Sequence, residues 1–213
     1  MVLTKAYAFK LQINGKVIFV LLNVDMSGKT AVVIGGGTVA YRKIKVLLDA
    51  GAKVYVVAPA VAEEIDALAQ AENLTVRNDQ YRISDLEGMF LVVAATDDAG
   101  VNRQVATDAA SQKKMVCVTD AFEAGNCSFP AVLRRGDLEI GVSTRGCCPS
   151  LAVELRELIA TLITEEYGAL VSELAEEREK LLTSGNSSTY NKQVLRPLAR
   201  RLISELNERK DTA

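Results

Sequence analysis

The sequence predicts an α/β protein: a doubly wound parallel sheet, then a β-hairpin region, then an α-helical C-terminal domain. Three observations predict it. Near-continuous aliphatic and β-branched runs recur at residues 31–34, 53–57, 74–77, 89–95 and 115–119, which is how strands buried on both faces read. Apolar residues at helical spacing separate most of them. After Asp120 the alternation stops, and two strand-like runs follow with no helix between them.

The first element carries the main signal. Ala31-Val32-Val33-Ile34 reads as a buried strand, Gly35-Gly36-Gly37 as a turn, and Val39, Ile44, Leu47 and Leu48 as the apolar stripe of a helix beginning near Thr38. Gly35, Gly37 and Ala40 occupy the places of a G-x-G-x-x-G/A fingerprint. In that setting, strand before and helix after, the turn lets backbone approach a pyrophosphate and the helix N-terminus offers it N–H groups. A glycine turn that binds nothing is the alternative, and the flanking strand and helix favour the Rossmann reading with a dinucleotide.

Gly51 suits the end of that helix. The second strand, 53–57, runs into Ala58-Pro59-Ala60. An Asp or Glu there would hold the adenosine 2′-hydroxyl of NAD, and an Arg would accommodate a 2′-phosphate. Neither is present, so this position leaves NAD and NADP open. Residues 61–71 read as a helix and 74–77 as a short strand. The strand 89–95 ends in Thr96-Asp97-Asp98, which puts Thr96 and Asp97 at the crevice where open α/β sheets bind ligands. Asp98 suits the cap of a helix over 99–111, with Val101, Val105 and Ala109 on one face. The strand 115–119 ends at Asp120.

Residues 128–133 and 138–143 flank Arg134-Arg135-Gly136-Asp137 and read as an antiparallel hairpin. Thr144-Arg145-Gly146-Cys147-Cys148-Pro149 breaks the chain, and Pro149 suits a first helical turn. Leu151, Leu155, Leu158, Ile159, Leu162 and Ile163 then form one stripe, predicted to continue through Leu170, Val171 and Leu174 to Leu182. Residues 183–188 are polar. A last helix carries Val194, Leu195, Leu198, Leu202, Ile203 and Leu206, and its Arg196, Arg200 and Arg201 read as a solvated face. At the start, residues 1–16 alternate weakly and contain Asn14-Gly15, a turn dipeptide able to pair them with 17–22.

Composition narrows the chemistry. The chain has 213 residues, 49% hydrophobic and 24% charged, with a net charge of −2. That balance gives no electrostatic footprint of a nucleic-acid binder, and no apolar run reaches the length of a membrane span. The run at 17–22 is short for a signal sequence, and no cleavage site follows it, so a cytoplasmic protein is expected. Cys117, Cys127, Cys147 and Cys148 form no C-x-x-C, and histidine is absent. Both facts argue against a Cys/His metal site, so no metal ligands are assigned. Any general base must be a carboxylate, lysine, tyrosine or thiolate.

Four segments in register carry a resemblance. They are residues 33–40 with Arg42-Lys43; Ala94-Ala95-Thr96-Asp97-Asp98 with Val101-Asn102; Val118-Thr119-Asp120-Ala121 leading to Phe129-Pro130; and Ser143-Thr144 with Gly146 and Pro149 before Leu151-Ala152. Together they resemble the precorrin-2 dehydrogenase family, the dehydrogenase/ferrochelatase module of siroheme synthase, from about residue 19 to the end. The resemblance implies NAD-dependent oxidation of precorrin-2, a tetrapyrrole with eight carboxylates, to sirohydrochlorin. Some members also insert Fe²⁺ to give siroheme. It further implies a homodimer built from an NAD-binding Rossmann domain (1–129, with 1–16 as an N-terminal extension), a dimerisation region (130–163) and a helical C-terminal domain (164–213).

By the same resemblance, Thr38, Val39, Pro59 and Ala60 match cofactor contacts, and Asp120 matches a catalytic aspartate. Ser143 and Thr144 match a Ser-Ser pair beside the substrate cleft. Arg145, Cys147 and Cys148 depart from the Gly, Thr and Ser that family members often carry.

The residues themselves allow this chemistry. Oxidation needs a hydride acceptor, which a nicotinamide supplies, and a base, for which Asp120 is the candidate, burial being expected to tune it. An Asp there could also simply cap a turn. Gly35, Gly36, Gly37, Thr38, Val39, Ala40, Pro59, Ala60, Thr96 and Asp97 are the expected cofactor site. Asn102, Ser143, Thr144 and Arg145 are expected at the substrate, although Asn102 could equally be an exposed helix residue. Arg145, beside a helix N-terminus, is a better carboxylate partner than Arg134 or Arg135, which read as a solvated turn. Cys147 and Cys148 read as small residues at a helix start. The competing function is an NAD(H)-sensing regulatory module without tetrapyrrole chemistry, which accounts for the glycine turn but not for Asp120 or the break at 143–149.

Overall fold

The computed structural model describes residues 12–13, 16–17, 20–70, 73–183 and 194–211. Gln12–Ile13 (β1) pairs antiparallel with Lys16–Val17 (β2), Gln12 opposite Val17. Asn14 and Gly15 lie outside the described residues. Residues 20–22, expected to lengthen the second strand, are instead irregular, and Val20, Leu21 and Leu22 are exposed.

Next come Thr30–Ile34 (β3), Thr38–Asp49 (α1), Lys53–Ala58 (β4), Glu63–Leu68 (α2), Leu74–Asn78 (β5), a 3₁₀ turn at Ile83–Leu86, Leu91–Ala94 (β6), Ala99–Ser111 (α3) and Met115–Val118 (β7). The five strands β3 to β7 form one parallel sheet in the order β5-β4-β3-β6-β7. β3 lies at the centre and is buried from Ala31 onward. Because side chains alternate across a strand, β3 feeds two cores. Ala31 and Val33 pack in one cluster with Ala40, Ile44 and Leu47 of α1 and Ile65 of α2. Val32 and Ile34 pack in another with Leu86 and with Val105, Ala106 and Ala109 of α3. This is the doubly wound sheet that the apolar runs predicted.

One boundary differs for an identifiable reason. The helix expected over 61–71 is Glu63–Leu68, and it starts late because Ala62 donates its N–H to the carbonyl of Gly36 at 2.8 Å, tying the approach to the glycine turn. The β5–β6 connection carries ion pairs instead of a crossover helix: Arg77 reaches Asp79 at 2.8 Å and Asp85 at 2.5 Å, and Arg82 reaches Asp79 at 2.6 Å.

The contacts divide the chain into two units, Met1–Phe129 and Pro130–Ala213. In the second, Ala131–Arg135 (β8) pairs antiparallel with Leu138–Val142 (β9) around a Gly136-Asp137 turn, Gly136 having φ +55°. Pro149–Leu162 (α4) packs on this hairpin, and Glu166–Thr183 (α5) packs with Arg196–Asp211 (α6). The single long helix expected from 149 to 182 is thus two helices. The apolar stripe runs through the break, but Arg135 of the hairpin donates Nε–H to the carbonyl of Ile163 at 2.9 Å, and Thr164 donates its hydroxyl to Glu166 at 2.7 Å. Both bonds compete with continued helix. Gly168 then lets α5 approach the hairpin: a Cβ there would lie 2.7 Å from the carbonyl oxygen of Arg135.

Candidate functional site

The carboxyl ends of β3, β4, β6 and β7 open onto one cleft of about 1170 Å³ in the first unit. Its floor is the glycine turn, and the three glycines do different work. Gly35 has φ +127°, and a Cβ on it would stand 2.3 Å from the carbonyl oxygen of Ala95; a Cβ on Gly36 would stand 2.2 Å from that of Ala60. These two are glycine because the protein's own backbone closes on them. A Cβ on Gly37 would meet nothing within 4 Å. Its missing side chain leaves room on the cleft side for something else.

That something is anionic. α1 begins immediately after Gly37, its N-cap makes no side-chain bond, and its first turn carries no acid. The leading N–H groups and the positive end of the helix dipole are therefore left for a ligand, the arrangement that suits a pyrophosphate. At α3 the equivalent end is closed by the protein itself, since the Asp98 carboxylate accepts from the N–H groups of Gly100 at 2.6 Å and Val101 at 3.2 Å.

Sheet order gives the cleft two ends. On the β6–β7 side, Thr119 ties to β6 by donating its N–H and hydroxyl to the carbonyl of Ala94 at 3.0 and 3.1 Å. Asp120 follows directly. Pro59 and Ala60 follow β4, Gln80 and Tyr81 follow β5, and α3, which packs on β6 and β7, adds Val101 and Gln104 to the lining. The Tyr81 hydroxyl donates to Asp108 at 2.9 Å, and burial, reinforced by that carboxylate, pushes the phenol well above its usual range. Among the described residues no Lys or Arg lines the cleft, whereas Asp97, Asp98 and Asp120 do.

Comparison with known proteins agrees with this geometry. Residues 22–131 match a family model described as putative NAD(P)-binding. The chain is 33% identical to the precorrin-2 dehydrogenase of Bacillus subtilis strain 168 over 159 residues, 75% of this chain and 98% of that one. It belongs to the precorrin-2 dehydrogenase family. SirC, a precorrin-2 dehydrogenase of known structure, superposes with a TM-score of 0.67 at 28% identity, covering 88% of this chain and all of that one. The siroheme synthase of Ectopseudomonas mendocina strain ymp is 42% identical over 147 residues. The chain spans about a third of the length of the siroheme synthases it matches.

Within this precorrin-2 dehydrogenase family member, the expected cofactor residues Gly35, Gly36, Gly37, Thr38, Val39, Pro59, Ala60, Thr96 and Asp97 all line the cleft, as does Asp120. Ala40 does not: it is fully buried, where its small side chain lets α1 sit close to the sheet. Asp120 is exposed, so the desolvated carboxylate expected there is not found. Asn102, expected at the substrate, is 1% exposed and spends its amide on Thr96 beneath the cleft surface. Ser143, Thr144 and Arg145 lie in the second unit, on the loop before α4. There the hydroxyls of Ser143 and Thr144 accept from the N–H groups of Arg145 at 3.2 Å and Cys148 at 3.3 Å. Arg145 and Gly146 take successive left-handed conformations, φ +54° and +75°.

Sequence reasoning missed Gln80, Tyr81, Gln104 and Asp108. One signal was present: Asp108 falls between Val105 and Ala109 on the apolar face of α3, four residues after Gln104, a buried acid in need of donors.

Proposed function

We propose that this chain oxidises precorrin-2 to sirohydrochlorin with NAD⁺, in the cytoplasm, as a homodimer. The observation that carries the dinucleotide is Gly37, whose absent Cβ leaves open cleft in front of the uncapped N-terminus of α1. The family supplies the substrate. NAD rather than NADP is supported by the lining, which among the described residues offers a 2′-phosphate no lysine or arginine.

In this reading the bound dinucleotide supplies the hydride acceptor. Gly37, Thr38 and Val39 hold its pyrophosphate, Pro59 and Ala60 flank the adenosine ribose, and Thr96 and Asp97 line the path to the ring. Asp120 takes the proton as the substrate loses the hydride. The substrate's carboxylates need cations that the cleft does not hold. We assign Arg145, with Ser143 and Thr144, to substrate carboxylates, because the loop that carries them leads into the N-terminus of α4, an end suited to anions. Fe²⁺ enters only as a co-substrate of a second step.

The dimerisation region, 130–163, is supported by the exposed Leu151, Leu155, Leu158 and Leu162 along α4, an apolar stripe that a second copy would cover. The helix break after Leu162 marks where the helical part from 164 would begin, although it packs with the hairpin in one unit. The test of the function is incubation of the pure full chain with precorrin-2 and NAD⁺. Formation of NADH together with the sirohydrochlorin spectrum is expected. NAD binding without turnover would instead indicate a sensing module.

A further inference from the structure

Where Tyr81, from the loop after β5, reaches α3, the cleft wall has a recognition group that the proposed chemistry does not use. Asp108, on α3, is 9% exposed. One carboxylate oxygen accepts the hydroxyl of Tyr81 at 2.9 Å, and the other accepts Nε2–H of Gln104 at 2.8 Å. Both donors line the cleft. A carboxylate can only accept, so it dictates which way the Gln104 amide faces. Nε2 is committed to Asp108, and the carbonyl Oε1, which meets no donor among the described residues, is left for a ligand. Tyr81, held by its hydroxyl, can turn only its ring to a neighbour. Val101, one turn before Gln104, adds an apolar surface to the same wall. An apolar slot with a fixed aromatic ring and one oriented acceptor suits a planar heterocycle bearing an amino group.

The direction of the dinucleotide places such a heterocycle there. This step rests on the reading of the previous section: with the pyrophosphate at Gly37 and the reactive ring toward Asp120 on the β7 side, the other half of the molecule runs to the β4–β5 side of β3. We propose that Gln104 accepts a hydrogen bond from the exocyclic amino group of adenine, with Tyr81 as the wall its ring packs on. Asp108 acts as the positioning residue that orients both. Gln104 is then a specificity determinant, selecting a 6-amino purine over one with an oxygen at that place. Two acceptors would face each other in the second case, and a hydrogen bond is replaced by a repulsion.

The test is calorimetric titration of the full chain with NAD⁺ and with nicotinamide hypoxanthine dinucleotide, which differs in carrying oxygen in place of the amino group. The wild-type chain is expected to bind NAD⁺ about tenfold more tightly. Gln104→Leu, at an exposed helical position that the core does not need, should bring the ratio close to one. Asp108→Asn can donate to the amide and release Gln104 to turn its Nε2–H groups to the cleft. In that variant the preference should shrink or reverse, which mere loosening of α3 would not produce; a melting curve for each variant accompanies the titration. A wild-type ratio near one, or a tenfold ratio that survives Gln104→Leu, overturns the assignment while leaving dinucleotide binding intact. Failure of both dinucleotides to bind the wild-type chain overturns the dinucleotide reading itself, and this assignment with it.

Discussion

Asn102 grips Thr96 with its whole amide: Oδ1 accepts from the N–H and the hydroxyl of Thr96 at 3.1 and 2.8 Å, and Nδ2 donates to the Thr96 carbonyl at 3.0 Å. The end of β6, on the cleft wall, is thereby fixed from beneath by a side chain that water does not reach. Asn102→Ala leaves those Thr96 groups without their buried partner. Stability in urea should fall by about 2 kcal/mol, and NAD affinity should fall with it, because Thr96 loses its position. Unchanged stability would mean that the grip is unimportant.

The glycine turn gives a pair of opposite outcomes. Gly37→Ala places a methyl where no protein atom lies within 4 Å. Its melting temperature should match the wild type, while NAD affinity drops at least about tenfold, since the methyl occupies the pyrophosphate's place. Gly35→Ala combines φ +127° with a backbone oxygen 2.3 Å away and should be destabilised by several kcal/mol, on the order of an overpacked core. Equal NAD affinity in Gly37→Ala and wild type would remove the ligand from this turn.

Legibility followed the range of the interactions. The strand–turn–helix of residues 30–49 and the parallel sheet could be read because alternation and helical spacing are local patterns, and the fingerprint led to a cleft lined by nine of its ten expected cofactor residues. The burial of Asn102 could not be read, because its partner Thr96 is on another element end. The stop after Leu162 could not be read either, since it depends on Arg135 arriving from the hairpin, 28 residues earlier. Tyr81, Gln104 and Asp108 belong to one cluster only after β5 and α3 have packed.

Alkaline pH should expose the buried thiols. Burial, then the neighbouring Cys117, pushes Cys127 up to about 12, against 9.0 for an unburied thiol. Between those values the unfolded chain gives up a proton that the folded chain retains, so folding stability is complete below pH 9 and falls as pH rises toward 12. Thermal melts across that window should show a steeper loss for the wild type than for Cys127→Ala. Parallel slopes would contradict the assignment.

The stripe on α4 predicts assembly. Leu158 is 58% exposed and Leu162 62%. Light scattering on a sizing column should give twice the chain mass for the wild type, and Leu158→Glu should shift it toward the monomer, because an unpaired charge would be buried in the interface. A monomeric wild type would set aside the dimer.

The most direct test of the central claim compares wild type with Asp120→Asn in the precorrin-2 assay, with NAD affinity measured alongside. If the exposed carboxylate after β7 takes the proton, the variant binds NAD as the wild type does and forms sirohydrochlorin at least about 100-fold more slowly. An Asp120→Asn chain that oxidises precorrin-2 at the wild-type rate would contradict the account.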